Sequence, residues 1–174
     1  MTILQTVEQI AIPKISGTAI WVGKRKDLLR LLLLPETCYG KIYLGPLKAN
    51  RVFNKEQMHF EETFYAANMR VLCRLFGKGL SVNENRIQQI AIENFENEGR
   101  KCERIHYLLI LNDKESRLPI QLDPNLLTLI DGNSPLLPEN MFPFDKEVAR
   151  QIFQAQVREI SPLFFEIAIF VRAN

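Results

Sequence analysis

The sequence has few of the residues that build disulfide frameworks, metal sites and phosphate loops. Its 174 residues include two histidines and three cysteines, Cys38, Cys73 and Cys102, and no CxxC pair. An odd cysteine count without paired spacing disfavours disulfides and favours a reducing compartment. Gly77-Lys78-Gly79 follows a predicted helix instead of opening one, which is unlike a phosphate-binding loop. We therefore expect no catalytic residue set, no metal and no cofactor. The sequence favours a protein that is not an enzyme.

Long apolar runs are also missing. No stretch approaches the ~20 residues of a membrane-spanning helix. Residues Met1 to Pro13 have no cationic start and are interrupted by Glu8, which is unlike a signal peptide. We expect a soluble cytoplasmic protein with no membrane partner.

The composition predicts one folded domain. Hydrophobic residues make up 47% and charged residues 24%, ordinary values for a globular chain. The run from Leu163 to Val171 is rich in β-branched and aromatic residues and follows Ser161-Pro162, so it predicts a buried strand. A core strand this close to the C-terminus makes residues 1–174 a single α+β domain that needs this strand to fold.

Four segments in the first eighty residues show clear patterns. Thr18 to Val22 predicts a strand, and Leu28 to Leu34 predicts a second strand paired back on it, although its leucines would also suit a helix. Lys41 to Leu44 predicts a third strand. Lys55 to Phe76 repeats apolar residues at helical spacing after Asn54, a candidate N-cap, and predicts the first helix.

The second half alternates between helix and strand patterns. A second helix is predicted from Ser81, with an apolar face that contains Ile87, Ile90, Ala91 and Phe95. Strands are predicted at Arg104 to Leu111, at Arg117 to Leu122 as its antiparallel return, and at Asn125 to Ile130. A third helix is predicted from Lys146 to Ile160, capped by Asp145.

The resulting order is βββααβββαβ. Strands come in hairpin-length groups and not in strict alternation with helices, which favours a largely antiparallel sheet with about three packed helices. The stretch from Asp131 to Phe144 contains Gly132 and three prolines and predicts the longest irregular connection.

The net charge of +2 hides an imbalance between the halves. Residues 1–80 carry twelve basic and six acidic side chains, and residues 81–174 carry ten and fourteen. A basic half can form a phosphate-facing surface. If the two halves are interleaved in the fold, however, their charges largely cancel.

Three basic clusters are candidates for contact with a phosphate backbone. The first is Lys24, Arg25, Lys26 and Arg30, the second is Arg70, Arg74 and Lys78, and the third is Arg100, Lys101 and Arg104. Arg70, Arg74 and Lys78 share one stripe of the first predicted helix, and Tyr39 and Tyr43 lie close enough to the first cluster to stack on bases. Each cluster equally suits a solvated face or a contact with a partner protein. The candidate nucleic-acid-binding residues are Lys24, Arg25, Lys26, Arg30, Arg70, Arg74, Lys78, Arg100 and Lys101.

These observations favour a non-enzymatic subunit or adaptor of a larger assembly, such as a nucleoprotein, whose basic half contacts RNA or DNA. One alternative is a protein–protein interaction or structural module, bound to a partner or to a second copy, without nucleic acid. The other is a small enzyme or small-molecule binder with a pocket under the Asp131–Phe144 loop. That pocket would hold His106 or Cys38 beside an acid.

Overall fold

The computed structural model describes residues 15–25, 28–123, 126, 128–131, 137–157 and 170–171. Most of the predicted strand from Leu163 to Val171 lies outside these residues, as do Lys26 and the predicted helix end at 158–160. Among the described residues, no helix is long and apolar enough to cross a bilayer.

The described residues form ten strands and two α-helices. The strands are β1 (Ile15–Arg25), β2 (Leu29–Cys38), β3 (Lys41–Gly45), β4 (Leu47–Asn50), β5 (Phe53–Asn54), β6 (His59–Phe60), β7 (Gln88–Asn97), β8 (Arg100–Leu111), β9 (Thr128–Asp131) and β10 (Phe170–Val171). The helices are α1 (Phe64–Phe76) and α2 (Pro143–Val157), and single 3₁₀ turns lie at Gly77–Gly79, Glu84–Arg86 and Glu115–Arg117.

Eight strands join in one mixed sheet. Its order is β10-β7-β8-β1-β2-β3, with β4 also paired to β1 and β9 to β2. The central pair β1–β8 is parallel, with Ile15 opposite Cys102 and Lys24 opposite Leu111. β10 is parallel to β7, and the other pairings of this sheet are antiparallel. The predicted mixture of helices with a large, mostly antiparallel sheet is confirmed.

The sheet lies between the two helices. Successive side chains of a strand point to opposite faces, so one strand can pack against both helices. On β1, Ile20 packs in the apolar cluster with Leu72 and Leu75 of α1. The next residue, Trp21, packs in the cluster with Val148 and Ile152 of α2. Each helix therefore covers one face of the same sheet, and the core has two halves.

Helix α1 begins at Phe64, so the predicted helix start at Lys55 is wrong. The Asn54 carboxamide oxygen accepts from the backbone N–H groups of Glu56 and Gln57, as a cap would, but it closes the turn between β5 and β6. The actual N-cap is Thr63, whose hydroxyl accepts from the Ala66 N–H.

The helix predicted from Ser81 is also wrong, because Ile90, Ala91 and Phe95 belong to β7 and Ile87 directly precedes it. A bulge shifts the pairing of β7 with β8 between Gln89 and Ala91. Ile90 and Ala91 are consecutive and both buried, which breaks the strict alternation of a strand and imitates helical spacing. The described residues therefore contain two α-helices instead of about three.

Other segments divide between confirmed and corrected predictions. The first hairpin, the third strand and the strand at Arg104 to Leu111 are confirmed as β1–β2, β3 and β8. Arg117 to Leu122 is not a strand: its apolar residues pack irregularly on the α1 side, and the Gln121 N–H donates to the Leu75 carbonyl.

Candidate ligand-binding pocket

A pocket of about 760 Å³ lies on the α2 side of the sheet, within the size range of small-molecule sites. The β2–β3 hairpin, β4, the β7–β8 hairpin and the segment that enters α2 contribute its walls. The lining residues are Glu36, Thr37, Cys38, Tyr39, Tyr43, Lys48, Glu93, Phe95, Glu96, Asn97, Glu98, Arg104, Phe142 and Pro143.

One wall of the pocket is aromatic. The rings of Tyr43 and Phe142 are stacked, with centroids 4.1 Å apart and planes inclined by 13°. Phe142 belongs to the predicted irregular connection, which is docked on β3 by a 2.8 Å hydrogen bond from the Leu44 N–H to the Asn140 carbonyl. Phe142 is engaged by Tyr43 and by the Lys48 ammonium, so Tyr43 is the ring of this pair on which a planar ligand can stack.

Lys48 lines the pocket beside the aromatic wall and connects three elements of the fold. Its ammonium donates to Glu36 Oε1 over 3.0 Å and to Asp145 Oδ2 over 2.8 Å, and it lies 4.6 Å from the centroid of the Phe142 ring. Asp145 is buried in the first turn of α2, where the helix dipole also favours a carboxylate. One lysine thus ties β2, β4 and α2 together around the pocket.

A row of polar side chains runs from the core to the pocket. The indole N–H of Trp21 donates to Nδ1 of His106 over 3.1 Å, and His106 Nε2 is 3.0 Å from Glu93 Oε2. Arg104 Nη1 donates to the same Glu93 oxygen over 3.3 Å. Because Nδ1 accepts from Trp21, the imidazole is neutral and carries its proton on Nε2, which donates to Glu93.

The electrostatics of the row agree with its geometry. Burial lowers the pKa of His106, and the hydrogen bond to Glu93 only partly opposes this. Burial alone would raise the pKa of Glu93, but the hydrogen bond from His106 and the charge of Arg104 outweigh it, so the pKa lies below its ordinary value. A neutral His106 therefore faces an ionised Glu93.

Glu93, His106 and Asp145 are residue types that can coordinate a metal ion, and they lie close together. One ligand atom from each lies within 4.8 Å of the others. Both ring nitrogens of His106 are already used, however, and Lys48 and Arg104 hold the two carboxylates. A cation could bind His106 Nε2 only if the ring proton moved to Nδ1, where it would face the indole N–H of Trp21. In this structure the three side chains form a hydrogen-bonded network.

In the third basic cluster, Arg104 lines this pocket, and Arg100 and Lys101 pair with the lining residues Asn97 and Glu96. The other predicted nucleic-acid-binding residues that the structure describes are not among the lining residues. Lys24 and Arg30 are paired across β1 and β2, and Arg25 ends β1. Arg74 and Lys78 are exposed, as are Arg100 and Lys101 at the start of β8. Lys24 lies beside Leu111, so about 35 Å of strand separates it from Arg100.

Arg70 has a structural partner that the stripe pattern did not reveal. Its guanidinium donates to both oxygens of Glu62, over 2.8 and 2.9 Å, and to the Asn50 carbonyl over 2.8 Å. It joins the start of α1 to β4. A nucleic-acid role for the residues of the three basic clusters stays a prediction.

Sequence comparison finds no relatives: no family model matches the chain, and no curated protein matches it. Solved structures match in fold. A MutT NUDIX hydrolase from Burkholderia pseudomallei has a TM-score of 0.56 at 14% identity, covering 80% of this chain and 98% of that one. The Ap4A hydrolase of C. elegans has a TM-score of 0.54 at 15% identity, covering 83% and 98%.

The fold of this chain is therefore similar to the fold of these Nudix structures. A third structure with this fold is the NUDIX domain of Shewanella oneidensis NrtR in complex with ADP ribose, with a TM-score of 0.53 at 12% identity, covering 92% of this chain and all of that one. These neighbours contradict the prediction of a non-enzymatic, RNA-binding assembly subunit, since they are hydrolases and a domain that binds a small molecule. No finding supports a nucleic-acid partner.

Sequence reasoning identified only part of the pocket. Tyr39, Tyr43 and Cys38 stood out in the sequence, and Cys38 lies beside acids in the pocket, as the small-molecule alternative expected. Lys48 and Glu93 gave no signal. Their partners lie elsewhere in the chain, so only the folded sheet brings them together.

Proposed function

We propose that this pocket binds a phosphorylated nucleoside, and that the chain is a small enzyme or small-molecule binder acting on such a ligand. The stacked Tyr43–Phe142 pair in the wall of a nucleotide-sized pocket carries the proposal. A base can stack on exposed aromatic surface, with about 1–3 kcal/mol for each base. ADP ribose in one fold neighbour and Ap4A in the name of another support this ligand class.

The charges of the pocket determine in which form a phosphorylated ligand can bind. Lys48 and Arg104 supply two positive charges, whereas four glutamates, Glu36, Glu93, Glu96 and Glu98, also line the pocket. This surplus of negative charge repels a bare polyphosphate. We therefore expect the ligand to bind as its magnesium complex, and an unphosphorylated nucleoside to bind equally well with or without magnesium.

The polar walls suit the sugar and base. Carboxylates accept hydrogen bonds from ribose hydroxyls and base amino groups. The Arg104 side chain is 22% exposed and presents a donor to the acceptor atoms of the ligand.

Calorimetric titration with ADP ribose and Ap4A, each with and without Mg²⁺, tests the proposal. Tyr43→Leu removes the stacking ring and is expected to weaken binding about tenfold. Ile42→Ala is the matched control, because Ile42 is the preceding residue of the same strand and is 61% exposed. Chromatography of the incubated ligand shows whether it is hydrolysed, which distinguishes an enzyme from a binder. The proposal fails if neither compound binds, or if Tyr43→Leu binds like the wild type.

A further inference from the structure

The row from Trp21 to Arg104 links a buried core residue to the pocket wall. Trp21 and His106 are fully buried and Glu93 is 1% exposed, whereas the Arg104 side chain reaches the pocket. Glu93 and Arg104 are direct partners across β7 and β8, so their side chains share the face on which α2 packs. Each link is a single hydrogen bond.

Only one state of His106 satisfies this row. An indole nitrogen can donate but cannot accept, so Nδ1 must stay unprotonated opposite Trp21. A proton on Nδ1 would place two donors against each other in the core, at the cost of an unsatisfied buried group. The remaining proton is on Nε2, where it points at Glu93.

The state of His106 in turn fixes Arg104. A neutral donor leaves the full negative charge on Glu93, and Glu93 Oε2 accepts from both His106 and Arg104. The Arg104 guanidinium also lies 4.9 Å from the centroid of the Phe95 ring. It therefore contacts a carboxylate and a ring that both line the pocket.

We propose that Trp21 and His106 are positioning residues, which act through Glu93 to hold the Arg104 guanidinium against the ligand. The inference rests on the proposed function of the pocket. Two further charged groups of the described residues act on this centre, Asp145 of α2 and Lys48 of β4, and they are bound to each other. His106 Nε2 is bonded to Glu93.

A double-mutant cycle separates positioning from general support of the fold. Trp21→Phe keeps an aromatic ring but removes the N–H, and we expect it to weaken binding of magnesium ADP ribose about fivefold. In the background of Arg104→Met, the same change should have no further effect, because the residue that it positions is gone. Additive effects of the two substitutions would overturn the inference.

A ligand-free measurement keeps the inference distinct from the proposed function. In ¹⁵N-labelled protein at pH 7, the His106 ring should show a protonated Nε2 and an unprotonated Nδ1. Trp21→Phe should shift the side-chain N–H resonances of Arg104, whereas exposed Arg74 should be unaffected. If ADP ribose fails to bind, the proposed function fails, and these spectra alone decide the positioning inference. A protonated Nδ1, or unchanged Arg104 resonances, would contradict it.

Discussion

Arg86 and Glu115 form two hydrogen bonds of 2.7 Å. Nη1 of the guanidinium donates to Oε2 of the carboxylate, and Nη2 donates to Oε1. The same guanidinium donates to the Ile110 carbonyl over 3.0 Å, and Glu115 also accepts from the Asn112 N–H. The hydrogen bond from Arg86 lowers the pKa of Glu115. This pair joins the turn that precedes β7 to the turn that follows β8.

Glu115→Gln should therefore destabilise the fold. The neutral amide cannot accept both guanidinium bonds, and the partly buried Arg86 loses its counter-charge, so the free energy of unfolding should fall by about 1–3 kcal/mol. Urea unfolding followed by fluorescence measures this. Asp113→Asn, an exposed acid on the same turn, should change stability by less than about 0.5 kcal/mol. Equal stability of the two variants would show that the pair is only a surface contact.

Gly17 should not tolerate a side chain. A Cβ atom there would lie 2.7 Å from the Ala49 carbonyl oxygen of the neighbouring strand β4. Because that contact is with backbone, Gly17→Ala should force β1 and β4 apart and lower the free energy of unfolding by about 1–3 kcal/mol. In Gly79→Ala, the new atom meets only the end of the Leu118 side chain at 3.4 Å. Thermal unfolding of Gly79→Ala should match the wild type, and a similar loss in both variants would contradict the steric explanation.

Stability should decrease as the solution becomes acidic. Burial lowers the pKa of His106 in the folded protein below its ordinary value of 6.5. Below about pH 6.5 the unfolded chain takes up a proton that the folded protein refuses, so stability is lost as the pH falls. The lowered pKa of Glu93 adds a second loss below its ordinary value of 4.5.

The melting temperature should therefore decline between pH 7.5 and pH 5. His106→Gln keeps a neutral donor but cannot titrate, so its melting temperature should start lower and change less across this range. An identical pH dependence in wild type and variant would show that His106 is not the group responsible.

The strands of the fold can be predicted where the apolar pattern of a segment is clear and its partner strand is close in the sequence. The β1–β2 hairpin is indicated by two apolar segments that flank a short charged turn, although the leucines of the second segment would also suit a helix. The patterns failed where tertiary context took over. Asn54 caps a hairpin turn and not a helix, and the bulge at Ile90 hides the alternation of β7.

The pocket was less predictable than the fold. Tyr39 and Tyr43 are candidates from the sequence because they lie close to the first basic cluster and can stack on bases. Lys48 meets Asp145 across 97 positions of the chain, and Trp21 meets His106 across 85. Such pairs produce no recognisable motif in the sequence, because only the folded structure brings the two residues together.

The parallel pairing of β1 with β8 has a consequence for how the chain is made. Ile15 and Cys102 are 87 positions apart, so the centre of the sheet closes only after a long loop has formed. At a synthesis rate of about 5–20 residues per second, Cys102 is added roughly 4–17 s after Ile15, and until then this edge of β1 stays open. During that interval Trp21 lacks its histidine partner, and its burial marks the moment at which the two halves of the chain meet.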